Sequence, residues 1–126
     1  MKIFGHPWIE SKKFYRVYNI EEIQSLEVGG IALLEPLIES IELAKYCLKH
    51  SIEYVIPVGT IKEAIFANEL GATYVICKEE SGFMIQPIAQ HYLFDTQLLI
   101  LISDEKEIAK LALQGMDGVV FADVIQ

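Results

Sequence analysis

The chain has 126 residues, enough for one domain around a single core and too few for two. Hydrophobic residues make up 52% of it and charged residues 22%, which excludes a disordered or solvating segment. Ten Lys and Arg against eighteen Asp and Glu give a net charge of −8, which argues against docking on nucleic-acid phosphates or anionic lipid.

Residues 1–12 read as a mildly basic, aromatic N-terminal arm containing His6, Pro7, Trp8 and Glu10. The first twenty residues carry +3 and the remaining 106 carry −11. A strand is predicted at 13–18 and a helix at 20–26. Gly30 to Leu34 is a continuous apolar run behind a Gly-Gly turn, the pattern of a strand covered on both faces. Leu37, Ile41, Ala44 and Leu48 then recur at helical spacing, with an acidic start and a basic end that suit the helix dipole. Tyr54 to Val58 is a second apolar strand. Thr60 follows as an N-cap, and Glu63 completes a capping box. The helix it opens places Ile61, Ala64, Ile65 and Asn68 along one side and stops at Gly71.

The cycle repeats. Residues 72–77 read as a strand, 78–82 as a loop and 83–94 as a helix. Its regular part starts near Gln86, because Pro87 suits a first turn. Residues 98–102 give the clearest strand. Ser103 or Asp104 caps a helix whose inner stripe is Ile108, Leu111, Ala112 and Gly115, and 119–121 closes the series. Apolar strands in strict alternation with helices specify a parallel sheet with right-handed crossovers. The expected fold is one α/β domain over 1–126. It has an open, mainly parallel sheet of five or six strands with helices on both faces, flavodoxin-like or Rossmann-like; the alternative is a half (β/α) barrel. The expected core is Leu33, Ile41, Ala44, Val55, Ile56, Ile65, Val75, Ile76, Ile100, Leu101, Leu111, Val119 and Val120.

Residues 60–76, TIKEAIFANELGATYVI, resemble a βα unit of the phosphate-binding (β/α) barrel enzymes. Residues 113–121, LQGMDGVVF, are similar to the approach to a late strand in the same group. The resemblance implies barrel-type local architecture. It carries over no catalytic residue, because the chain is shorter than the roughly 200 residues of a full barrel and lacks the Gly-rich loops after its last strands.

Ligands of parallel α/β sheets bind beyond the carboxyl ends of the strands. Those ends nominate Glu35, Gly59, Thr60, Glu79, Ser81, Gly82, Ser103 and Asp104 as ligand-binding residues. Gly59-Thr60 and Ser81-Gly82 precede helices, where free N–H groups hold anions, although neither GxGxxG nor GxxxxGK[ST] occurs. The carboxylates could hold a divalent cation or divide acid and base work between them. Equally, Glu35, Glu79 and Asp104 open helices, where negative charge is favoured. Cys47 and Cys77 have no CxxC companion, and with three scattered histidines no zinc-type spacing arises, so no metal site is expected. They read as reduced thiols of a cytoplasmic protein, since no signal-peptide pattern opens the sequence and no apolar run approaches about 18 residues.

No catalytic set and no cofactor can be named from this spacing. The expected function is a non-catalytic small-ligand-binding or regulatory protein acting as a homo-oligomer. The alternatives are a metal-assisted enzyme using the carboxylate rim on a small metabolite, and a scaffold subunit of a larger complex. Neither nucleic acid nor membrane is an expected partner. A homodimer is expected, with contacts from Trp8, Phe14, Tyr15 and Tyr18.

Overall fold

Seven short strands, rather than five or six, join one parallel sheet. In the computed structural model, which describes all 126 residues, the strands are β1 (Lys2–Phe4), β2 (Phe14–Arg16), β3 (Ile31–Leu33), β4 (Tyr54–Pro57), β5 (Tyr74–Cys77), β6 (Gln97–Ile102) and β7 (Gly118–Phe121). The helices are α1 (Ile20–Gln24), α2 (Leu37–Lys49), α3 (Ile61–Glu69), α4 (Glu79–His91) and α5 (Glu107–Leu113), with a 3-10 turn at Ala122–Val124. The strand order is β1-β7-β6-β5-β4-β3-β2. The strand not foreseen is β1. At three residues it is too short to show a period, and it is recruited by pairing Lys2–Phe4 with Gly118–Val120. The stretch 1–12 therefore begins inside the sheet.

The sheet is strongly curled. Neighbouring strands stand about 4.8 Å apart, so in a flat sheet β1 and β5, with two strands between them, would be about 14 Å apart. Yet the Phe4 and Tyr74 rings are 5.3 Å apart. Phe4 and Phe14, from the two outermost strands, are 5.1 Å apart. No ladder joins β1 to β2. Instead Ile125 makes a parallel bridge to Phe14, the Gln126 N–H donates to the Phe14 carbonyl at 2.7 Å, and the Arg16 N–H donates to the Gln126 carbonyl at 3.3 Å. The expected half-barrel alternative fits this arrangement.

Two hydrophobic clusters follow from the curl. Phe4, Phe14, Ile31, Leu33, Val55, Tyr74, Ile76, Leu99 and Val120 come from all seven strands and meet inside, with Val124. Strand residues of opposite parity, among them Ala32, Ile56, Val75, Ile100 and Val119, face outward and meet Ala44, Ala67, Ile85 and Leu111 of the helices. The helices thus cover the outer face alone. The expectation of helices on both faces is corrected because the sheet shields its inner face with its own strands.

Several local expectations also change. The predicted loop 78–82 is the first turn of α4, and Pro87 lies inside the helix, where it removes one N–H donor. Gly82 permits this path: a Cβ there would lie 2.4 Å from Ile100 Cδ1. On α3 the helix buries its small residues Ala64 and Ala67, so Ile65 turns outward at 41% exposure. Ile41 of α2 and Leu101 of β6, also expected in the core, are 37% and 41% exposed. Every other expected core residue is buried. No helix is long and apolar enough to cross a membrane.

Leu99 and Leu101 separate the filled part of the interior from its open end. Leu99→Ala should cost roughly 2–5 kcal/mol as a buried large-to-small change, and Leu101→Ala less than about 1.5 kcal/mol. Urea melts of the two variants measure the difference; equal losses would place Leu101 in the closed core.

Candidate functional site

Strand parity builds the mouth of the half-barrel. Side chains two residues apart on a strand share a face, so Arg16 follows Phe14, Glu35 follows Leu33, Pro57 follows Val55, Ile76 follows Tyr74 and Leu101 follows Leu99 toward the carboxyl ends. Together with Tyr18, Leu34, Pro36 and Ile125, the upper members line a depression of about 300 Å³. Its lining is mostly aliphatic and proline. Arg16 is exposed there and has no ion-pair partner, the ion pairs of the chain being Lys12–Glu53, Lys45–Glu42 and Lys110–Glu79.

The loop carrying Glu35 is tied to α2. The Ser40 hydroxyl donates to the Glu35 carbonyl at 2.6 Å. Ser40 leaves helical geometry to do so, at φ −126° and ψ 18°, and is buried. This anchor sets where α2 departs from the mouth.

The other candidates are engaged elsewhere or stand apart. The Gly59 and Thr60 N–H groups donate to Glu63 Oε1 at 2.8 and 3.1 Å, and Thr60 Oγ1 accepts from the Glu63 N–H at 3.1 Å. The capping box therefore occupies three of the N–H groups at this helix start. The Ser81 hydroxyl donates to the Gly59 carbonyl at 3.2 Å. Glu79 pairs with Lys110 at 3.0 Å. Gly82 is buried against Ile100.

Ser103 and Asp104 line a second, polar depression with His6, Trp8, Glu105 and Asp123. Here Asp104 Oδ1 accepts from the Lys106 N–H at 2.9 Å. The Trp8 N–H donates to His6 Nδ1 at 3.1 Å, which leaves Nε2 to carry the proton that Glu105 accepts at 2.6 Å. Of the eight candidates only Glu35 lies in the mouth. His, Cys, Asp and Glu side chains form no group of three or more suited to a metal ion.

Among the lining residues that the sequence did not nominate, Arg16 and Leu101 stand out by charge and exposure. The signal was the two-residue step from Phe14 and Leu99, which becomes informative only once those two are known to face inward.

The cysteines stay outside this chemistry. Both are buried, and burial pushes the Cys47 thiol up to about 11 and the Cys77 thiol up to about 12. Burial likewise raises Tyr54, whose hydroxyl donates to the Leu70 carbonyl at 2.7 Å. With thiols held protonated, modification by a disulfide reagent at pH 8 should run at least about a hundredfold slower in the native protein than in denaturant. A colorimetric thiol assay in both conditions measures this, and fast native reaction of two thiols would contradict the burial.

No protein-family model matches this sequence, and no curated protein matches it.

Proposed function

We propose that the protein is a non-catalytic small-ligand-binding or regulatory domain whose ligand, a small amphipathic carboxylate, sits in the mouth of the half-barrel. The observation that supports this reading is Leu101. It is a large aliphatic side chain in the longest strand, 41% exposed, in a depression it shares with an arginine that has no acidic partner. Leaving such a side chain wet forgoes part of its burial energy, roughly 25 cal/mol per Å² of apolar surface. A bound apolar group would recover that energy.

The chemistry divides along the lining. Leu33, Pro57, Ile76 and Leu101 offer an apolar bed for a branched or aromatic body. Arg16 offers a planar fork of donors that matches a carboxylate in bidentate fashion. Glu35 and Tyr18 supply the remaining polar edge. A depression of about 300 Å³ lies at the small end of ligand sites. The carboxylates of a metal-assisted reaction draw less support, since Glu35, Glu79 and Asp104 lie in separate surroundings.

Isovalerate, benzoate and phenylacetate serve as probes in a thermal-shift series. At least one should raise the melting temperature of the native protein at millimolar concentration. Arg16→Ala and Leu101→Asp should each abolish the rise. No response to any probe, or an unchanged response in Arg16→Ala, would refute the assignment.

A further inference from the structure

The outer face of α3 has an order that neither the core nor the mouth explains. Lys62, Ile65, Phe66 and Glu69 stand at i, i+3, i+4 and i+7 and are all exposed or half-exposed, so they form one stripe along the helix. Beside it, α2 presents Ile38 at 89% exposure, and a groove of about 660 Å³ runs between the two helices. Leu37, Ile38, Ile41, Phe66 and Leu70 form its apolar part, and Lys62 and Glu69 lie along it. Neither Lys62 nor Glu69 has an ion-pair partner within the chain.

We infer that this α2–α3 face is a two-fold interface with a second copy of the same chain. The stripe is self-complementary about its own centre. A two-fold axis crossing α3 between Ile65 and Phe66 runs the two copies of the helix antiparallel. It then sets Lys62 of each copy against Glu69 of the other and Ile65 against Phe66, each pair occurring twice. The order of charges favours a second copy, because the stripe places a cation and an anion where its own antiparallel copy presents the opposite sign. Two chains of net charge −8 repel in general, so self-association needs a patch where each cation meets an anion. This stripe ends in one of each, with apolar residues between. The groove beside it gives Ile38 and Phe66 a place to be covered. The inference does not depend on the ligand in the mouth.

Sedimentation equilibrium of the full chain from low to high micromolar tests it. The native protein should be dimeric, and Phe66→Asp should be monomeric. Lys62→Glu and Glu69→Lys should each raise the dimer dissociation constant about tenfold, because each replaces two attractions per dimer with two repulsions. An equimolar mixture of these two variants should recover native affinity. In the mixed dimer both contacts between positions 62 and 69 again join opposite charges, one pair native and the other reversed. That recovery also shows that both variants are folded. A native protein monomeric at high micromolar concentration overturns the inference. So does a dimer indifferent to Phe66→Asp, or a mixture no tighter than its components.

Discussion

Everything in this molecule depends on three aromatic rings meeting inside a curled sheet. Phe4 of β1, Phe14 of β2 and Tyr74 of β5 belong to strands that a flat sheet would hold far apart, yet Phe4 touches both of the others. Burying them gives the sheet a reason to bend, since each large ring removes apolar area from water in proportion to its size. At the opposite end from the mouth, the Lys2 ammonium donates to the Tyr74 hydroxyl at 3.2 Å, so the ring's polar tip is satisfied. Gly118 leaves room for this strand: a Cβ there would lie 2.9 Å from the Lys2 carbonyl oxygen and 2.7 Å from Leu99 Cδ2.

A curled sheet this small has one layer of large side chains at its waist and little above it. In a full (β/α) barrel, successive layers of branched residues fill the interior. Here the upper positions are Arg16, Glu35, Pro57, Ile76 and Leu101, and they line a hollow instead of closing it. The mouth therefore results from strand length. Most of these strands end within one or two inward-facing residues of the waist, and the Ser40 hydroxyl holds the β3–α2 loop at the Glu35 carbonyl.

The order of strands and helices was legible because continuous apolar runs such as 54–58 and 98–102 are hard to place except in a buried parallel sheet. The capping box of Thr60 and Glu63 was legible for a similar reason, being settled between near neighbours in the chain. Curvature was not. A strand covered by helices on both sides and one covered by helices outside and its own sheet inside need the same apolar residues. The β1 strand was missed since three residues cannot show a period. Helix faces were ambiguous wherever apolar residues lie all round, as on α3, where close approach to the sheet selects Ala64 and Ala67 over Ile65. Of the candidate site, Glu35 was found from its place at a strand end, while Arg16 was hidden among the charges of the N-terminal segment.

The pairing of β1 with β7 also governs how the fold is assembled. Strands β2 to β7 can add one at a time, each beside its predecessor in the chain. Strand β1 must instead find Gly118–Val120 across more than a hundred residues. Closing a loop of that length costs about 4 kcal/mol in chain entropy if nothing else is yet formed, and far less once the intervening units are docked. Addition of β1 as the final step is thus the route of least entropic cost. Until it arrives, β7 is an unprotected sheet edge and the aromatic waist lacks Phe4, so the period of greatest exposure to edge-to-edge aggregation is the interval before three residues take their place.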